Sequence, residues 1–580
     1  MKHLFLLFYL TTYSQQVILT SGQYEYSIGQ IFYIAPEGIQ QLNIKQTVWV
    51  TSWSEGTPDY SLDAIIDGNY STSINGTIIA NSLTVNYDKS LTINSGTNVT
   101  IQNEVINNGT FIVENNANLI QVNDVLNTGE ITVNRNSNEL KRLDYTAWSS
   151  PVTGTQTLTN FSPLTSLNRF YEFNTTAGTN GLYQAVIPST QNFIIGKGYL
   201  IRMPNALPLA GYNDGLTTIT YNGIFTGIPN NGDVQVTLFS NGGQNSYNLV
   251  GNPYPSVINV QYFLSVNNGL IGGTLYFWRK VNAAGGTAYA TRTNLGGTAT
   301  PSSETPNEFI QIGQGFIVQS LNIGTTVIPN FFTNLMRIPN PNSTQFFKTK
   351  QVIKKDCIWL NLTSITGVFS QTLIGYISDA TLGVDSYDGK YINDSPIALT
   401  SSINNEEYTI QGRPVFDATD VVQLNFKTDI AGNYTIAIDH SDGVFASGQD
   451  VYLVDNTTGI ETDLQIETYN FIAAAGVDNS RFLLKYQKTL KVNAPEFNKN
   501  SISVYSKNGN LYVNSRKTEI NNIQVYDLQG RLIMERKNVK SSTATIYNLK
   551  TKYQVLIIKI LSVNNEEVTK KIYITNIKNI

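Results

Sequence analysis

Histidine is nearly absent: His3 and His440 are the two in the chain. His440 stands among Asp439, Ser441, Asp442 and Gly443. Imidazole-driven nucleophilic catalysis needs a nucleophile and an orienting acid around the ring. The Ser441-Asp442-Gly443 stretch reads instead as a turn, so His440 is expected in a loop. A zinc site wants three or four His or Cys ligands, and Cys357 is the single cysteine. Two acid groups could do other work. Asp379, Asp385, Asp388 and Asp394 share one loop-rich stretch, and Asp439, Asp442, Asp450 and Asp455 another. Calcium takes six to eight oxygens, which such loops could supply, although no EF-hand spacing is present. Aspartate is equally the residue that bonds its own backbone in turns. No cofactor is assigned, and calcium is the one ion these loops could hold.

Gly196-x-Gly198 and Gly313-x-Gly315 bear on nucleotide binding. A phosphate cradle requires a helix to begin just after the glycines. Here Tyr199-Leu200-Ile201 and Phe316-Ile317-Val318 follow, which read as strands. The glycines are therefore expected in turns or bulges. Glycoside hydrolysis needs two carboxylates across a cleft, a separation that sequence does not reveal. The Asp-x-x-Asp-x-Asp-x-Glu run of secreted chitinases is absent. Residues 48–135 hold little Lys or Arg (Lys89 and Arg135) for lyase chemistry on a β-helix. No catalytic residue is assigned. Trp49, Trp53, Trp148, Trp278 and Trp359 could stack on sugar rings, but each stands among apolar strand residues and suits a core equally well.

The elements that would position these residues are strands. Apolar pairs recur at Leu83/Val85, Leu91/Ile93, Val99/Ile101, Phe111/Val113 and Ile131/Val133, each with a polar residue between, as half-buried strands require. Leu83, Leu91 and Val99 are eight apart, and Asn107–Val113 returns twenty residues later as Asn127–Val133. Such periods with Asn/Gly corners predict a short β-solenoid over 48–142; a β-meander is the alternative. Val48–Trp53 would cap its first coil with aromatics.

Over 143–338 the segments Tyr145–Pro151, Arg169–Phe173 and Ile195–Ile201 return in order as Tyr247–Pro253, Leu275–Trp278 and Ile312–Val318. The offset drifts from 102 to 117, which predicts a duplicated β-domain. One short helical piece is expected at Tyr262–Asn267. Residues 339–356 read as a linker, 357–486 as a β-sandwich and 487–500 as a second linker. The class is all-β: a short β-solenoid, tandem β-sandwich domains and a C-terminal immunoglobulin-like sandwich.

That last sandwich is expected over 501–580, from six or seven short strands in about 75 residues. It contains Asn508-Gly509 before Leu511-Tyr512-Val513-Asn514, then Val525-Tyr526-Asp527-Leu528-Gln529-Gly530-Arg531, then Val568-Thr569-Lys570-Lys571. These motifs resemble the C-terminal sorting domain of type IX secretion cargo in the Bacteroidota, in its chitinase-type variant, type C. The resemblance implies export to the medium or the cell surface, with the type IX machinery as partner. Asn508, Gly509, Tyr526, Asp527, Gly530, Arg531 and Lys570 are its candidate recognition residues. Fibronectin-like sandwiches such as 357–486 commonly precede these domains.

Composition agrees with an exterior location. Charged residues are 14% of the chain, and 33 tyrosines with abundant Asn, Thr, Ser and Gly fill the surface. A net charge of −4 offers no electrostatic case for nucleic acid or anionic lipid. A single cysteine leaves no internal disulfide. Met1–Ser14 reads as a short signal peptide, because Leu4–Leu10 is an apolar run of seven. That run is far below the ~20 residues of a membrane span, so no integral membrane protein is expected. Residues 15–47 form a leader. The expected role is non-enzymatic, as an adhesin or structural surface protein, with extracellular polysaccharide as a possible ligand. A carbohydrate-binding or carbohydrate-active protein is the alternative.

Overall fold

The computed structural model describes residues 45–243, 245–279, 285–301, 303–339, 354–488, 497–499, 501–507, 509–516, 518–547, 549 and 554–574. The signal peptide 1–14, most of the leader and of both linkers, and Asn508 lie outside the described residues. The chain divides into two compact units, with the break between Gln487 and Lys488. Its class is all-β, about 51% strand and 4% helix.

The first unit opens with a β-solenoid of about four turns. Parallel ladders stack Ala64 on Leu83 and Val105, Tyr70 on Leu91 and Phe111, and Ile78 on Val99 and Leu119. Leu83, Leu91 and Val99 therefore lie on three successive faces of one coil. The spacing of twenty is the step from one coil to the next. Every one of these side chains except Tyr70 and Phe111, at 2%, is fully buried. A strand of three or four residues can turn only two side chains inward, so each coil depends on its neighbour to hide them. Asparagine holds the corners together. Asn81 donates to Asp63, Asn103 to Asn81 and Asn123 to Asn103, each at 2.7 Å. At the N-terminal end Trp49 packs edge-on against Trp53 and Tyr70, with centroids 5.5 and 4.7 Å away.

The last solenoid strand, Ile131–Leu140, runs on past the coils and pairs antiparallel with Ile219–Pro229. Two sheets of matching strand order follow. In one, Tyr145–Trp148 pairs with Tyr199–Arg202, then Phe170–Asn174, then Leu182–Ala185. In the other, Tyr247–Gly251 pairs with Gly315–Gln319, then Leu275–Trp278, then Tyr289–Arg292. The registers match too: Leu200 faces both Ala147 and Tyr171, and Ile317 faces both Leu249 and Tyr276. Between first and second strands stand the short helices Leu158–Phe161 and Val260–Val266, capped by Thr157 and Asn259.

Residues 357–486 form a strongly curled sheet around one core of Leu360, Leu424, Phe426, Ile436 and Phe482. This region is tied to the middle of the chain. Gly285–Gly286 pairs in parallel with Val368–Tyr376, Trp359 Nε1 donates to the Gly297 carbonyl at 2.8 Å, and Leu295 shares a core with Cys357 and Leu373. The polar composition of 339–356 does not disclose that contact.

The second unit is a two-sheet sandwich. Ser503–Lys507, Asn510–Asn514 and Thr543–Ile546 form one sheet. Leu532–Ser541, Ile520–Tyr526, Gln554–Ser562 and Glu567–Ile574 form the other. Leu511, Val513, Ile523, Val525, Leu556 and Ile558 fill the space between them.

Candidate functional site: a cleft beside the solenoid

The Gly-x-Gly turns lie where the two matching sheets meet. Trp148 forms a bridge with Gln314, and Val250, its counterpart, forms one with Lys197. Each sheet thus pairs its first strand with the Gly-x-Gly turn of the other. A side chain at Gly198 would meet Leu249 Cγ at 2.7 Å, and one at Gly315 would meet Ala147 at 3.1 Å. Strands follow both turns, so the glycines serve close backbone approach and form no phosphate cradle.

Beside this junction are two adjoining hollows that share Gln311 and Ile312. The larger, of ≈ 360 Å³, lies between a solenoid corner (Ser95, Gly96, Asn116, Asn118) and Asn307 and Phe309. The smaller, of ≈ 120 Å³, is walled by the end of Ile131–Leu140, by Tyr145–Trp148 and by Trp278 and Arg279. Arg135 joins the two, donating from Nη1 to Asn116 Oδ1 at 2.6 Å. Its position follows from strand alternation. Ile131 and Val133 point into the solenoid core, and Arg135 is next in the same phase, just beyond the last coil. Burial, with the Arg279 charge as the second cause, lowers the Arg135 guanidinium to about 10. Burial lowers Arg279 as well. Trp278 is held edge-on between Tyr183 and Tyr289, both centroids 5.5 Å away, and its buried indole N–H has no hydrogen-bond partner among the described residues. Glu139 is the one carboxylate among the described lining residues, and it accepts from the Thr218 hydroxyl at 3.3 Å.

One family model, a domain of unknown function (DUF8693), matches residues 44–486, the greater part of the chain. The chain belongs to the DUF8693 family. In this DUF8693 protein a second domain of unknown function (DUF8694) matches residues 490–574. No curated protein matches. Among solved structures, the spore cortex lytic enzyme SleM of Clostridium perfringens is 13% identical, over 18% of this chain and 36% of that one, with a TM-score of 0.12. The chain thus spans about a third of that enzyme's length. The BSP domain of a biofilm associated protein is 9% identical, over 76% and 96%, also with a TM-score of 0.12. Likenesses at that level carry no argument about fold or function.

Other residues of the DUF8693 region singled out by type are taken up by the fold. His440 is not in a loop, as expected, but on the strand Gly432–Ser441 opposite Trp359. A bulge at Asp439 lets that strand run on through His440, because Asn361 donates to the unpaired Asp439 at 2.8 Å. The imidazole stacks on Trp359 at 4.1 Å and bonds Asp439 at 2.6 Å. The acids do not converge: among the described residues no three His, Cys, Asp or Glu side chains come together to hold a metal ion. Asp385 accepts from Thr381 and Tyr387 N–H, Asp388 from Asp385 and Gly412 N–H, and Asp394 from Thr287 and Ala288. Asp379 bonds Ser378, Asp442 accepts from Cys357 N–H, Asp450 bonds Tyr452, and Asp455 is paired with Arg481 at 2.9 Å. Trp49, Trp148 and Trp359 are buried; Trp53 and Trp278 are half-buried.

In the DUF8694 region four of the sorting-motif residues meet in one turn. Asp527 Oδ1 accepts from the N–H groups of Gln529 and Arg531, both at 2.9 Å, and Oδ2 from Arg531 Nε at 2.7 Å. Gly530 closes the turn at φ 82°, and Tyr526 precedes it with its hydroxyl on Gln524. Gly509, at φ 74°, and Lys570, on Glu567–Ile574, stand apart from it. Residue typing alone set Arg135 aside and missed Arg279 and the amides around them. The signal was there: in a chain so poor in charge, Arg135 continues an inward-facing alternation.

Proposed function

We propose that this chain is a secreted or surface-displayed adhesive protein that holds an extracellular glycan in the cleft beside the solenoid without cleaving it. The cleft's composition carries the reading. Amides from Asn116, Asn307, Gln311 and Gln314, with Trp278 and Phe309, suit hydroxyl-rich rings, which need convergent hydrogen bonds and flat apolar faces. A carbohydrate-active enzyme would need a second carboxylate opposite Glu139, and the described lining residues supply none. The Asp527 turn, with Arg531 79% exposed at its tip, supports reading the C-terminal unit as the export signal for type IX secretion. Among the described residues no helix is long and apolar enough to cross a membrane.

The full chain on an array of neutral and acidic polysaccharides, with reducing ends counted in parallel, tests the first part. Binding without new reducing ends is expected, and turnover would overturn it. Deleting residues 490–580 tests the second: export should stop, and unchanged appearance in the medium would refute it.

A further inference from the structure

We propose that the cleft selects acidic glycans, with Arg135 and Arg279 clamping an oxyanion of the bound sugar, a uronate carboxylate or a sulfate ester. This rests on the cleft being the glycan site. Arg135 and Arg279 line one small hollow, and like charges held together are unfavourable unless an anion joins them. Among the described residues neither Arg135 nor Arg279 forms an ion pair, and Glu139 bonds Thr218 instead. Burial, joined at Arg135 by the Arg279 charge, lowers the proton affinity of both groups. A planar guanidinium fork matches a carboxylate or sulfate in two parallel hydrogen bonds. Arg135 is itself anchored by Asn116, so the site is organised before a ligand arrives.

The test is equilibrium binding of the full chain to two matched pairs: polygalacturonate with its fully methyl-esterified form, and dextran sulfate with dextran. The net charge of −4 works against any general preference for polyanions. At least one acidic polymer should bind about tenfold or more tightly than its neutral partner. Arg279→Ala, at a half-buried side chain outside the hydrophobic cores, should keep the melting temperature and lose that preference. Preference in the first pair alone identifies the carboxylate, and in the second alone the sulfate. Equal binding of acidic and neutral polymers overturns the inference and leaves glycan binding standing. Preference unchanged in Arg279→Ala also overturns it, and binding of no polymer overturns both readings.

Discussion

Gly198 lies against Leu249 so closely that a methyl group on it would sit 2.7 Å from Leu249 Cγ and 2.8 Å from the Val250 carbonyl. That contact is one half of a reciprocal arrangement, the other being Gly315 against Ala147. Overpacking a tight contact destabilises by about 1–3 kcal/mol. Gly198→Ala is therefore expected to lower the stability of the first unit by about that much. Gly243, where a methyl group would meet Asn241 Oδ1 at an ordinary contact distance of 3.5 Å, is the control, and its alanine variant should change stability by less than about 0.5 kcal/mol. Denaturant unfolding of the full chain measures both.

Asp455 is fully buried and paired with Arg481, with Tyr469 and Thr457 also donating to it. Burial raises the carboxyl, but the Arg481 and Tyr469 bonds outweigh it and hold it below its usual range. The folded-state pKa is depressed, so the pair's contribution is present above about pH 4 and fades as pH falls further. Asp455→Asn leaves the guanidinium buried without its charge partner and should lose about 3 kcal/mol at pH 7. The loss should shrink in acid. An equal loss at pH 3 and pH 7 would contradict this.

Asp388 has the opposite sign. Burial pushes its carboxyl up to about 7, against the Asp385 and Gly412 N–H groups that favour the charge. The folded state then holds a proton that the unfolded chain releases near pH 4, so stability falls as pH rises from about 4 to 7. Asp388→Asn removes that slope, whatever constant amount the lost acceptor costs. Measured against the wild type, the variant should gain about 2–4 kcal/mol between pH 4 and pH 8. A pH-independent difference would show that Asp388 stays ionised.

In the C-terminal unit structure and export are separable. Gly530 has φ 82°, where a side chain costs about 1–2 kcal/mol, so Gly530→Ala should destabilise the sandwich. Arg531 is 79% exposed, so losing its ion pair with Asp527 in Arg531→Ala should cost no more than about 1 kcal/mol. If that charge is read by the export machinery, the same variant should still reduce secretion. Normal secretion of Arg531→Ala would assign the motif to fold maintenance alone.

The solenoid was legible because its physics is local. Inward pairs such as Leu91/Ile93 and Asn/Gly corners repeat at the step of one coil, so periodicity alone exposes them. The helix at Val260–Val266 was legible from its apolar spacing. His440 was not: its place depends on a bulge held by Asn361, a residue 78 positions away in sequence. The cleft was hidden for the same reason. Asn116, Arg135, Trp278 and Gln311 come from four separate stretches, and only the stacking of a second sheet against the solenoid brings them together.

The most direct measurement is of glycan binding by a variant that fills the cleft. Gln311 borders both hollows, and Gln311→Trp should occupy them while leaving the solenoid and sheet cores untouched. With its melting temperature matched to wild type, the variant should bind polysaccharide at least about tenfold more weakly, and neither protein should release reducing ends. Undiminished binding by the filled variant, or cleavage by the wild type, would contradict the account.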